Sequence, residues 1–265
     1  MKRMTKKLMS VLTVFVIGLA AVPVNSAQAY SDKGSTVVNA NAGNMVEKVT
    51  QKLGERKSRI VLYYTGSSNS FYSNFAALTD LTVPCRNQTA RRSVDFVGYD
   101  VDTSFKEKGV TKYILSPEYL LSDSQARALD RKANSIVRGL HLRGSAYNKA
   151  LKINDYLARH VKYAYEPISA YDAIIRGKGC CQAYSEAFYL LARKAGLNVK
   201  MVYGNAYSMG YWSAHQWNVF KQGKSWYSID PCWNSPEWHH YWTRKGLKMK
   251  DHRLDSKCAR MLRKC

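Results

Sequence analysis

Apolar positions recur along this chain at several spacings, and each spacing predicts a different element. A mainly apolar stretch from Leu8 to Val22 follows Lys2, Arg3, Lys6 and Lys7 and precedes Ala27-Gln28-Ala29. A charged head, a short apolar body and a small-residue site read as a cleaved secretory signal over residues 1–29. At 15 residues the run is shorter than the roughly 20 that span a bilayer. No stable membrane anchor is expected after cleavage, and the protein is expected to be secreted or cell-surface associated.

Residues 30–57 are polar and read as a leader or linker ending in a short helix near Met45–Leu53. Strand signals follow in a small β-containing region, 58–117: Ile60-Val61-Leu62-Tyr63-Tyr64, Phe96 to Val101, and Lys112-Tyr113-Ile114-Leu115. Gly66 to Ser70 reads as a turn, and Ser116-Pro117 as a strand stop. Helical spacing then takes over. Ser122-Asp123-Ser124-Gln125 is a capping box ahead of Ala126, Leu129, Ala133, Ile136, Val137 and Leu140. A second helix over 146–161 presents Ala150, Ile153, Leu157 and Val161 on one face, with Lys149, Lys152 and Arg159 left in water.

The chemistry is concentrated in residues 169–234. Gly177-Lys178-Gly179-Cys180-Cys181 is a glycine-rich loop running into a helix whose buried face is Tyr184, Ala187, Phe188, Leu191 and Ala195. Gly196 is a natural stop. A cysteine at this helix start meets free N–H groups and the positive end of the macrodipole, which favour a thiolate. The same N–H groups suit an oxyanion. A cysteine there can equally be a small buried hydrophobe.

Val199 to Tyr203 reads as a buried strand. Ala214 to Phe220 and Ser225 to Asp230 then read as a hairpin. A turn centred on Gln222-Gly223 sets His215 directly opposite Asp230, within reach of an imidazole–carboxylate hydrogen bond. The pairing is sensitive to register. Cysteine, histidine and aspartate then form a nucleophile, a base and the group that orients the base. Taken singly, His215 reads as a structural histidine and Asp230 as a strand-end turn residue.

Composition narrows the classes. The 265 residues are 46% apolar and 23% charged, with 19 Tyr and 6 Trp, which excludes wholesale disorder and fibrous repeats. The formal charge is +22. Without residues 1–29, which hold four basic residues and no acids, 236 residues and +18 remain. Such a protein is drawn to anionic cell-wall polymers or phospholipid headgroups. No nucleic-acid recognition motif is visible, and no nucleic acid is expected as a partner. The six cysteines, Cys85, Cys180, Cys181, Cys232, Cys258 and Cys265, contain no CxxC pair and no zinc-like set. Cys258 and Cys265 either pair or simply sit in the basic tail, 251–265, which reads as a solvated end. His239 and His240 beside Trp238 are a weak metal signal.

Gly179-Cys180-Cys181-Gln182-Ala183-Tyr184-Ser185, Ala214-His215-Gln216-Trp217-Asn218 and Trp226-Tyr227-Ser228-Ile229-Asp230-Pro231-Cys232-Trp233 together resemble the three signature blocks of the transglutaminase-like superfamily. Leu121 to Gln125, Asn154 to Leu157 and Val161-Lys162-Tyr163 are similar to the helical lead-in of its secreted bacterial members. The resemblance covers about 118–250, the expected catalytic domain. It implies an α+β, papain-like core: a helix bearing the cysteine, packed on an antiparallel sheet bearing His and Asp. It implies Cys181 as nucleophile, His215 as general base and Asp230 as its orienter, acting on a protein or peptide amide through a thioester. Cys180 stands where the family has a variable residue, and it permits a vicinal or mixed disulfide. No tryptophan precedes Trp212, so the oxyanion role of an upstream tryptophan in the animal enzymes falls to other candidates: the Cys181 N–H, Gln182 and Tyr165. The calcium sites of those enzymes have no visible counterpart; no metal and no cofactor are expected. Two functions stay open: an acyltransferase or amidohydrolase, and a non-catalytic module binding surface protein or wall polymer.

Overall fold

The computed structural model describes Tyr30, Asp32, residues 34–80, Gln88, and residues 93–166, 168–234 and 243–265. The signal-like segment 1–29, Cys85 and the Trp238-His239-His240 cluster lie outside the described residues.

Strands β1 (Thr36–Asn41), β2 (Ile60–Thr65), β3 (Val94–Val101) and β4 (Val110–Tyr119) form a sheet in the order β1-β2-β4-β3. β1 is parallel to β2, and the other pairs are antiparallel. β2 has a neighbour on each side, and its Ile60 to Tyr64 run is buried throughout, as a strand covered on both faces requires. Helix α1 (Met45–Gly54) buries Met45, Val49 and Leu53 against this sheet. Helix α2 (Ser68–Ala76) buries Phe71, which stacks on Tyr113.

Three readings are corrected here. Residues 30–57 are not a leader: Val38 and Ala40 alternate inward along β1, a pattern masked by the polar Asn39 and Asn41. Gly66 to Ser70 is not a simple turn, because the Ser67 hydroxyl accepts the Ser70 N–H at 3.2 Å and starts α2. β4 does not stop at Ser116-Pro117. Beyond Leu115 only β3 lies beside it, and one open edge tolerates a proline without an N–H.

The second half begins with α3 (Asp123–Gly139), whose capping box forms as expected, and α4 (Ala146–His160). Short strands β5 (Lys162–Tyr163) and β6 (Lys178–Gly179) flank a π-helical segment (Asp172–Arg176) and lead into α5 (Cys181–Lys194). Strands β7 (Val199–Ser208), β8 (Tyr211–Gln222), β9 (Ser225–Ile229), β10 (Thr243–Lys245) and β11 (His252–Leu254) make an antiparallel sheet in the order β10-β9-β8-β7-β11. Successive residues of β7 and β8 face opposite ways. Met201 and Phe220 join the core under α5, while Val202, Trp217 and Val219 join the core under α6 (Ser256–Arg263). This is the expected α+β core, with the cysteine helix on one face of the sheet.

Residues 251–265 are therefore not a solvated tail. β11 extends the sheet, and Cys258, Met261 and Leu262 are buried under it while Arg260 and Arg263 stay outside. Cys258 and Cys265 are separate thiols. The two halves are tied by Arg56, which donates to Asp123 Oδ1 at 2.7 Å. Buried Gln88 ties them again: its amide exchanges two hydrogen bonds with the Met201 backbone. Among the described residues no helix is long and apolar enough to cross a membrane.

Candidate active site

The approach to the cysteine pair is fixed by backbone. β6 lies parallel to β5, and the Ala164 N–H donates to the Gly179 carbonyl at 3.1 Å. Gly177 turns the chain with φ +68, and a Cβ there would lie 3.1 Å from the His160 carbonyl oxygen. Cys180 is then the N-cap and Cys181 the first residue of α5. Three hydrogen bonds hold the helix. The Tyr184 hydroxyl donates to the Val161 carbonyl. The Ser185 hydroxyl donates to the Trp217 carbonyl at 3.0 Å, and the Asn218 amide donates to the Ser185 carbonyl at 3.0 Å. Gly196, at φ +79, ends the helix where the sequence indicated.

His215 and Asp230 meet, but through a different register from the one expected. β8 and β9 pair Gln222 with Ser225 and Asn218 with Ile229, so the turn is Gly223-Lys224. Primed hairpin turns need a positive φ at their first central residue. Gly223 supplies it, at +57, where Gln222 would be strained. The resulting slip of two residues preserves the faces. Asp230, one residue past β9, meets His215 on the diagonal, with His215 Nε2 2.6 Å from Asp230 Oδ2.

A third side chain enters from β11, and sequence reasoning missed it. His252 Nε2 lies 3.1 Å from the same Asp230 Oδ2, and His252 Nδ1 lies 3.2 Å from Asp251 Oδ1. The other oxygen, Asp230 Oδ1, accepts the backbone N–H groups of Cys232 at 3.0 Å and Trp233 at 3.3 Å. The Asn234 amide donates to Asn154 Oδ1 at 2.8 Å, tying this turn to α4. A histidine between an aspartate and an arginine in a basic stretch carries no periodicity that points inward.

Burial works against a charge on Asp230, which has no exposed surface. The charge and hydrogen bond of His215, then those of His252, outweigh it and hold the carboxyl well below the usual carboxylate range. The cysteines behave as a pair. The Cys181 thiol donates to Cys180, pulling Cys180 down to about 6 against burial, with the N–H groups of Ala183 and Gln182 adding to the effect. That donated bond, then burial, pushes Cys181 up.

The structure brings the Cys181 sulfur to the backbone N–H of Gln216, the residue after His215. His215 Nδ1, the nitrogen not turned toward Asp230, is the one left for a thiol. The Gln182 amide donates along the helix to Glu186 Oε1 at 3.1 Å. Tyr165 is 86% exposed, its ring edge-on to Tyr163.

His215, Asp230 and His252 offer ligand-type atoms within 4.8 Å of one another. A tetrahedral ion holding donors at about 2.1 Å keeps them about 3.4 Å apart. The 2.6 Å contact is shorter, the separation of a hydrogen bond.

Residues 132–231 match the model of the transglutaminase-like superfamily, a window that ends one residue past Asp230. No curated protein matches the sequence. Among solved structures the chain is similar to a candidate cysteine protease from Cytophaga hutchinsonii, at 15% identity and TM-score 0.36, covering 60% of this chain and 71% of that one. It is also similar to a TGase, at 14% identity and TM-score 0.36, covering 73% of this chain and 58% of that one. A candidate protease from Parabacteroides distasonis gives 9% identity and TM-score 0.27, covering 63% and 38%. This chain therefore spans less than two thirds of the second and third of these proteins.

Proposed function

From the membership of residues 132–231 in the transglutaminase-like superfamily, we propose that this chain is a secreted or cell-surface enzyme of thiol-dependent acyl transfer, acting on protein or peptide amides. Cys181 is the nucleophile, His215 the base and Asp230 the group that orients the base. The observation that carries this reading is the 2.6 Å contact between His215 Nε2 and Asp230 Oδ2, beside a helix that starts with Cys181.

The steps follow from the groups present. The Cys181 thiol turns from Cys180 toward His215 Nδ1 and gives up its proton. The thiolate attacks the amide carbonyl carbon, forming a C–S bond. His215 returns the proton to the departing amine as the C–N bond breaks, leaving a thioester. Water or a second amine, deprotonated by His215, then takes the acyl group and restores the thiol. Ionised Asp230 steadies the imidazolium through both halves. Water gives hydrolysis or deamidation, and an amine gives a cross-link. The net charge of +18 that remains without residues 1–29 draws such an enzyme to anionic wall polymer, where peptide amides are at hand.

The test is a trapped intermediate. The full chain, mixed with an amide-bearing peptide library and quenched in acid, should carry one acyl group on Cys181 by mass spectrometry. Cys181→Ser and His215→Ala should carry none. A wild-type protein that stays unmodified while binding wall polymer overturns the enzyme reading in favour of a binding module.

A further inference from the structure

We propose that His252 is a positioning residue of this site, the ring that holds the Asp230 carboxylate in place for His215. The inference rests on the triad reading above. It concerns a residue that lies beyond the family match, which ends at 231.

Asp230 has two oxygens in a buried site. Oδ1 is held by two backbone N–H groups. Oδ2 must accept from His215 at the angle that fixes its tautomer. Alone, that single contact leaves a second lone pair of Oδ2 in a dry environment, which is costly. His252 Nε2 meets this oxygen at 3.1 Å. The carboxylate is thus gripped at both ends, and its plane is set from two strands and a turn.

The fold is arranged to deliver this ring. His252 is buried, packed edge-on against Trp233 at 4.5 Å and Trp217 at 5.0 Å. Its far nitrogen faces Asp251 Oδ1 at 3.2 Å. Donation to Asp230 requires a proton on Nε2. β11, which carries the ring, pairs with β7 opposite Gly204. A Cβ at Gly204 would lie 2.0 Å from the Arg253 carbonyl oxygen. Glycine there admits the strand, and the strand brings the histidine. A histidine kept only for packing would not need both nitrogens aimed at carboxylates.

Two substitutions separate positioning from packing. The amide of His252→Gln reaches as far as Nε2 and can still donate to Asp230. The amide of His252→Asn reaches only as far as Nδ1 and cannot. The readout is the rate of iodoacetamide alkylation at Cys181, localised by fragment ions, in full-length chains whose fold is checked by thermal melting. His252→Gln should stay within about threefold of wild type. His252→Asn should slow about tenfold, the low end of what a hydrogen bond to a charged group contributes. Equal rates for the two folded variants, fast or slow, overturn the proposal. Histidine-ring NMR of the unaltered protein reads the same point without substitution: a hydrogen-bonded, slowly exchanging proton on His252 Nε2 is expected, and a bare Nε2 overturns it. If His215→Ala leaves Cys181 alkylation unchanged, the triad reading fails and this one with it. If His215→Ala slows it and His252→Asn does not, only this inference fails.

Discussion

The Asn218 side chain on β8 donates to the Ser185 carbonyl in the second turn of α5, at 3.0 Å. Asn218 lies three residues from His215, and Ser185 four residues from Cys181. One buried hydrogen bond therefore sets the depth of the cysteine helix against the histidine strand. Asn218→Ala leaves that carbonyl without this donor and should cost about 1–3 kcal/mol. Urea unfolding checks it. An unchanged midpoint would mean that the helix is placed by its apolar face alone.

Asp230 ties stability to pH. Its carboxyl ionises well below the usual range in the folded protein and near 3.9, roughly, in the unfolded chain. The ionised form thus favours folding. This contribution is complete above the unfolded value and is lost as pH falls toward the folded one. Stability should drop from about pH 5 downward. Asp230→Asn should be weaker at neutral pH and should show a flatter acid slope. Unfolding titrations at a series of pH values would expose parallel slopes if Asp230 were not the linked group.

The cysteine pair gives a thiol prediction. Cys181 donates to Cys180 and draws it down to about 6. Cys181→Ala removes that donor, so the Cys180 thiolate should form at higher pH, as followed by ultraviolet thiolate absorbance. Cys180→Ser should leave Cys181 alkylation dependent on His215. If Cys180→Ser abolishes acyl-enzyme formation and Cys181→Ser does not, the attacking sulfur is Cys180.

Gly204 is a packing prediction. Gly204→Ala places a methyl group 2.0 Å from the Arg253 carbonyl oxygen before relaxation. β11 must shift, at roughly 1–3 kcal/mol for overpacking, and His252 must shift with it. Chemical denaturation and the Cys181 alkylation rate should fall together. A normal melt with a normal rate would show that β11 gives way freely.

Much of this was legible in the chain, for identifiable reasons. The α3 capping box, the Gly196 stop and the buried Tyr184, Ala187, Phe188 and Leu191 of α5 are local signals, and they form as read, while Ala195 falls at the helix end and is only half-buried. The meeting of His215 and Asp230 was legible because period-two alternation survives a slip of two residues, even though the turn falls on Gly223-Lys224. The misses are nonlocal. β1 hides its alternation behind asparagines, and α6 hides Cys258, Met261 and Leu262 among basic residues. His252 gains its meaning only from strand pairing with β7. The Cys180–Cys181 contact depends on side-chain rotation, which spacing does not encode.

The central claim is that His215 acts on the Cys181 sulfur. The most direct measurement is site-resolved iodoacetamide alkylation of Cys181 in the unaltered chain and in His215→Ala, both shown to be folded. The account predicts rapid labelling of Cys181 that falls at least about tenfold in His215→Ala, the scale of a lost charged partner. Slow labelling that is the same in both proteins would contradict it.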